Sequence, residues 1–108
     1  MNFIFKHDDA PMFERLWNEY ISMHRSDFHY SLALLEYYLS YISRLHSDQS
    51  FVLEVDSRCV GICFLPIEAN THDELSISLA GGYAIAPLAC SDKYEEAIFE
   101  KIDAIGAR

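Results

Sequence analysis

The chain has 108 residues, of which 51% are hydrophobic and 14% aromatic, and its formal net charge is −9. This length fits one domain, and the large apolar side chains suffice for a packed core, which excludes a disordered tail. The negative charge argues against nucleic-acid binding. No apolar run approaches the roughly 18 to 20 residues that span a bilayer, and the N-terminus does not resemble a signal peptide. We therefore expect a cytoplasmic protein that does not insert into membranes.

The three cysteines, Cys59, Cys63 and Cys90, form an odd set, which argues against a disulfide framework and fits a reducing compartment. If Cys59 and Cys63 share a strand, they lie about 13 Å apart, too far for one disulfide or one metal ion. We expect buried cysteines, with neither a metal site nor a cofactor site in this chain.

The first part of the chain predicts a strand and then a helix. Residues 2–7 place Phe3 and Phe5 on one side of a short strand, and Asp9 can cap a helix that has Pro11 in its first turn. The helix carries one apolar stripe at helical spacing, formed by Phe13, Leu16, Trp17, Tyr20, Ile21 and His24.

A second helix is predicted to begin at about Ser31 and to end at the polar residues 46–50. Its apolar side would consist of Leu35, Leu39, Ile42 and Leu45. Phe51–Val55 and residues 59–65 then predict a hairpin around Asp56, Ser57 and Arg58. The second arm is apolar on both faces, with Val60, Ile62 and Phe64 opposite Cys59, Cys63 and Leu65, which is typical of a central strand. Pro66 is expected to end that strand or to begin a bulge.

Residues 69–74 predict a polar loop, and residues 75–80 alternate as a strand that leads into Gly81, Gly82 and Tyr83. A last helix is capped by Ser91 and carries acidic side chains in its first turn. The predicted order is β-α-α-β-β-β-α, an α/β (α+β) fold with a mainly antiparallel sheet packed against helices. Residues 1–108 form a single domain in this prediction.

Two helices after the first strand, then a hairpin, a further strand and a helix, resemble the first half of the GNAT acyltransferase fold. A narrower resemblance is carried by residues 50–55 (SFVLEV), 60–63 (VGIC), 65–67 (LPI) and 75–76 (LS), followed by Gly81-Gly82-Tyr83 and Ala86-Pro87. These residues are similar to the N-terminal region of FemAB-like acyltransferases, which carry two GNAT-type halves. The resemblance implies transfer of an acyl or aminoacyl group to an amine or to an envelope or glycan precursor.

The resemblance also locates a departure from the GNAT pattern. A cofactor-binding GNAT domain cradles the pyrophosphate of coenzyme A on a glycine-rich loop at a helix N-terminus. The matching residues 86–94 contain no glycine, and Asp92, Glu95 and Glu96 surround the helix start. We therefore expect a partial domain, the non-cofactor-binding portion of an acyltransferase, which is inactive alone. An acyl-CoA or aminoacyl donor would bind the full-length protein, and a missing C-terminal half or a second copy would complete the sheet.

Gly81, Gly82, Tyr83 and Pro87 are the expected substrate-binding residues, because a backbone that turns at a strand end can approach a ligand closely. The alternative for this segment is a bulge or tight turn without a ligand. Four tyrosines could line a groove or an interface, or simply pack the helices: Tyr30, Tyr37, Tyr38 and Tyr41.

His24 and His29 lie near Asp27 and could form an acid/base pair, although surface or capping histidines are the more frequent case. Because the sequence shows no complete catalytic constellation, the catalytic residues are not assigned. The alternative function is a small protein-binding or dimerisation module with an exposed sheet edge and no enzymatic activity.

Overall fold

The structure is a computed structural model that describes residues 1–24, 31–40, 45–69, 75–77 and 87–106. These residues form three helices and antiparallel strands, so the predicted mixed α/β class is confirmed. The elements in chain order are β1 (Asn2–Phe5), α1 (Ala10–His24), α2 (Leu32–Ser40), β2 (Leu45–Asp48), β3 (Phe51–Val55), β4 (Arg58–Cys63), β5 (Pro66–Ala69), β6 (Leu75–Ile77), β7 (Leu88–Ala89) and α3 (Asp92–Gly106). None of the described helices has the length and apolarity that crossing a membrane requires.

The larger sheet has four antiparallel strands in the order β1-β3-β4-β7. Phe3 lies opposite Leu53 in the β1–β3 pair, and Gly61 lies opposite Ala89 in the β4–β7 pair. Neighbouring residues of β3 point to opposite faces, so Val52 packs with α1 while Leu53 packs with α3. The sheet therefore has a core on each face, and the predicted two-sided burial of β4 is confirmed.

The core on the α1 face follows from the helical spacing of apolar residues. Phe13, Leu16, Trp17 and Tyr20 recur every three or four positions and are almost fully buried. On the opposite face Ile98 of α3 is the corresponding buried anchor. The apolar stripe predicted for the first helix is confirmed at these positions, whereas its last member, His24, is exposed.

An irregularity in the β3–β4 register separates the Leu53–Gly61 pair from the Glu54–Cys59 pair. The extra residue in β4 reverses the side-chain alternation, so Cys59 joins the α1 core and Val60 lies toward α3. The faces predicted for Cys59 and Val60 are therefore interchanged. The N–H of Cys59 donates to Oε2 of Glu19 on α1 at 2.8 Å.

Three strands of the structure were not predicted from the sequence: β2, β5 and β7. Leu45, expected on the second helix, begins β2, because its backbone pairs with β5 in a second antiparallel sheet of order β2-β5-β6. Pro66 begins β5, a position where its missing N–H is tolerated. The two-residue β7 is too short to carry a periodic signal. Ile42, the remaining residue expected on the second helix in this region, lies outside the described residues.

The β3–β4 turn consists of Asp56 and Ser57, which have φ angles of 52° and 66°. Left-handed backbone at both central positions is the pattern of a two-residue hairpin turn whose twist matches the flanking strands. The predicted hairpin is confirmed, with Arg58 already in β4.

Candidate functional site

Of the four residues expected to bind substrate, Pro87 alone falls within the described residues, where it is half-buried directly before β7. Gly81, Gly82 and Tyr83 lie outside the described residues, so their role stays a prediction. The proposed acid/base pair also stays a prediction, since Asp27 and His29 lie outside the described part of the chain. His24 stacks on Tyr20 with ring centroids 4.3 Å apart.

The tyrosine-rich face is only partly described. Tyr37 is exposed, with 54% of its surface accessible. Tyr30 and Tyr41 lie outside the described residues, as does the side chain of Tyr38. An interface or a groove at these tyrosines therefore stays a prediction.

The junction between β7 and α3 is the segment that the resemblance predicts to correspond to the cofactor loop of a GNAT domain. The N–H of Cys90 donates to the carbonyl of Val60 at 3.0 Å, which fixes the junction against β4, and Glu95 N–H donates to the Ser91 carbonyl at 3.0 Å. α3 thus begins directly after Ser91, as the predicted cap requires. Asp92 and Glu95 lie in the first turn and are exposed, so their charge stabilises the helix and disfavours a phosphate at this end.

A cleft of about 780 Å³ lies between the end of β1, α2 and the end of β2. Sequence reasoning did not identify it. Its walls are formed by Lys6, His7, Ala10, Glu36, Leu39, Ser40, Ser47, Asp48 and Gln49.

Lys6 is the charged centre of the cleft and contacts two carboxylates. Its Nζ donates to Oε1 of Glu36 and, at 3.1 Å, to Oδ2 of Asp48. The Lys6 and Asp48 side chains are 23% and 16% exposed, whereas that of Glu36 is 57% exposed. Burial alone would lower the pKa of Lys6, but the hydrogen bond to Glu36 and the charge of Asp48 outweigh it and raise the pKa above its ordinary 10.5. Lys6 is therefore an ammonium group at neutral pH and not a nucleophile.

Asp48 is held in place by the buried Ser50. Oδ1 of Asp48 accepts hydrogen bonds from the N–H of Ser50, at 3.0 Å, and from the Ser50 hydroxyl. Oγ of Ser50 in turn accepts the N–H of Leu65 at 3.0 Å. Since Ser50 is only 2% exposed, this chain of contacts fixes the inner wall of the cleft.

His7 forms the rim of the cleft beside Gln49. Its Nδ1 lies 3.1 Å from Oδ1 of Asp8, and its Nε2 lies 3.2 Å from Oε1 of Gln49. The side-chain amide nitrogen of Gln49 donates to Oγ of Ser47 at 3.2 Å.

The described residues contain no group of three His, Cys, Asp or Glu side chains that could hold a metal ion.

The cysteines do not contribute to the cleft walls. Burial raises the pKa of both Cys59 and Cys63 to about 12, so both are neutral thiols at physiological pH. Cys90 is exposed. The expectation of buried cysteines is thus confirmed for Cys59 and Cys63 and wrong for Cys90, because the β7–α3 junction lies at the surface.

Comparison of the chain with protein-family models, with curated proteins and with solved structures finds no match.

Proposed function

We propose that this chain is the N-terminal, non-cofactor-binding portion of an acyltransferase that transfers an acyl or aminoacyl group to an amine or to an envelope or glycan precursor. The supporting observation is the larger sheet. α1 and α2 follow its first strand, the β3–β4 hairpin comes next, and α3 follows β7. The resemblance to the first half of a GNAT domain was drawn for a similar succession, with residues 75–80 as the strand after the hairpin. In the structure β7 follows the hairpin in the larger sheet, and β6 (Leu75–Ile77) pairs in the smaller sheet.

The β7–α3 junction supports the part of the proposal that concerns the cofactor. Cys90 and Ser91 connect the strand to the helix, and neither is a glycine that would let the backbone close on a pyrophosphate. The first turn of α3 adds negative charge at the place where phosphates would approach. The acyl or aminoacyl donor is therefore held by another part of the protein.

The open edge of the larger sheet supports the proposal that the domain is partial. β7 is an end strand, and it pairs with β4 through two residue pairs, Gly61–Ala89 and Ile62–Leu88. Within the described residues no strand borders its other edge. A strand from a C-terminal half can extend the sheet there.

The proposal is tested with the product of the complete open reading frame that contains these residues. Acyl transfer from acyl-CoA thioesters and from aminoacyl-tRNA is followed in separate reactions, with amines and amino sugars as acceptors. We expect acceptor-dependent transfer from one donor class. A reading frame that stops at Arg108, or a longer product without transfer from either donor, would refute the proposal.

A second candidate, a protein-binding or dimerisation module, is favoured by the apolar surface beside β1. A groove of about 250 Å³ lies between β1 and α3, lined by Met1, Phe3, Ala97, Glu100, Lys101 and Ala104. Met1 is 58% exposed, and Ala104 of α3 is exposed at the groove. If a second copy binds this surface, sedimentation velocity should show a dimer, and Ala104→Glu should weaken it. A monomer at high concentration would rule this candidate out.

A further inference from the structure

The cleft around Lys6 and Asp48 has the dimensions of a small-ligand site. Its volume of about 780 Å³ falls in the range of roughly 300 to 1,000 Å³ that is common for such sites. Ala10 and Leu39 are apolar and the seven other wall residues have polar side chains, but most of the accessible wall surface is carbon. A ligand in this cleft would therefore meet both apolar surface and several hydrogen-bonding groups.

The hydrogen-bonding groups of the cleft are only partly used by contacts among the described residues. Lys6 donates two of its three N–H groups, and Glu36 uses one of its two carboxylate oxygens. Oγ of Ser47 accepts a bond from Gln49 and keeps its own proton to donate. Oγ of Ser40 donates to the Tyr37 carbonyl and keeps its capacity to accept. Both donors and acceptors thus border the same cleft.

The charges of the cleft restrict the class of ligand. Lys6, Glu36 and Asp48 together carry a charge of −1, which disfavours a phosphate or a carboxylate. An ammonium ligand would satisfy the acceptors, but it would leave the third N–H of Lys6 and the hydroxyl proton of Ser47 without an acceptor. A hydroxyl group both donates and accepts, so neighbouring hydroxyls can satisfy these groups in pairs.

We propose that this cleft binds a neutral, polyhydroxylated ligand, a mono- or disaccharide. One ligand hydroxyl bonds to both Lys6 and Glu36: it accepts from the third N–H of the ammonium and donates to the second carboxylate oxygen. Another ligand hydroxyl bonds to Ser47. The inference does not rest on the proposed acyl transfer, because saccharide binding is measured without an acyl donor.

The experiment is a saturation-transfer NMR screen of this chain with neutral mono- and disaccharides, followed by titration of those that bind. Glucosamine and glucose 6-phosphate serve as the cationic and anionic probes. We expect saturable binding of at least one neutral saccharide and weaker binding of both charged probes. If no neutral saccharide binds, or if a charged probe binds more tightly than all of them, the proposal is overturned.

Two substitutions locate the binding. Glu36→Ala removes a carboxylate from an exposed position and should weaken the affinity about tenfold, because it removes a hydrogen bond to a charged group. Ser47→Ala should weaken it by a smaller factor. Glu100→Ala, at an exposed position of α3 outside the cleft, is the matched control and should leave the affinity unchanged. If Glu36→Ala and Glu100→Ala have equal affinity while circular dichroism shows both folded, the ligand does not occupy this cleft.

Discussion

Ile98 of α3 packs so closely on Gly61 of β4 that a Cβ atom added to Gly61 would lie 2.6 Å from Cδ1 of Ile98. The same added atom would lie 3.1 Å from the backbone carbonyl oxygen of Leu88. Glycine at this position therefore sets the distance between α3 and the larger sheet.

We expect Gly61→Ala to lower the free energy of unfolding by about 1 to 3 kcal/mol, because the new methyl group overpacks the interface with α3. Urea denaturation of the two proteins measures the difference. Ile98→Val removes the Cδ1 atom that clashes, so the double variant should be more stable than the sum of the single effects predicts. Additive single effects would show that Ile98 does not limit the size of the side chain at position 61.

The hairpin turn is a second place where the backbone constrains the residue. Ser57 has a φ of 66°, a conformation in which a side chain costs energy and glycine does not. Ser57→Gly creates the Asp-Gly pair that such turns favour and should raise the free energy of unfolding by about 0.5 to 1 kcal/mol. Ser57→Val is the opposite control and should be destabilising. A loss of stability in Ser57→Gly would contradict the φ angle at this residue.

The three cysteines should differ in their reactivity. In the native protein an aromatic disulfide reagent such as DTNB should modify Cys90, which is exposed, and leave the buried Cys59 and Cys63 unmodified. Guanidinium chloride should make the two buried thiols reactive. Cys90→Ser should abolish the native reaction, and rapid labelling that survives this substitution would show that a buried thiol is accessible.

The buried thiols also predict a loss of stability at alkaline pH. Burial, with a smaller contribution from Asp48, raises the pKa of Cys63 from 9.0 to about 12 in the folded state. Above pH 9.0 the unfolded chain has lost a proton that the folded chain retains, so unfolding becomes more favourable as the pH rises. This thiol should lower the free energy of unfolding by about 1.4 kcal/mol per pH unit between pH 9.0 and about 12, and leave it unchanged below pH 9.0.

Urea denaturation between about pH 8 and about pH 10.5 measures this dependence. Cys63→Ala has no group to ionise at this position and should show a shallower decline. Burial raises the pKa of Cys59 in the same direction, so part of the decline should persist in that variant. Identical slopes for Cys63→Ala and the unsubstituted protein would contradict the burial of Cys63.

The parts of the fold that follow from local periodicity could be predicted from the sequence. The helical spacing from Phe13 to Tyr20 identified α1 and its buried face, and the apolar run of Phe51–Val55 identified β3. β2 and β7 have four and two residues, and what defines them is backbone pairing with distant strands. No local pattern can show such pairing.

The cleft could not be predicted for a related reason. Lys6, Glu36 and Asp48 lie far apart in the sequence and come together only after β1 pairs with β3 and α2 packs on the α1 side of the sheet. The backbone N–H of Lys6 donates to the Ser50 carbonyl at 3.0 Å, which holds Lys6 beside the residues that follow Asp48. A lysine at a strand end is by itself an ordinary surface residue.

We predict that the β7–α3 junction of this chain does not hold an acyl-CoA donor. Calorimetric titration of the 108-residue chain with acetyl-CoA tests it most directly. The absence of glycine at Cys90 and Ser91 and the charges of Asp92 and Glu95 predict no saturable heat of binding. Binding of one equivalent with a micromolar dissociation constant would contradict the claim and would place a working cofactor site in this chain.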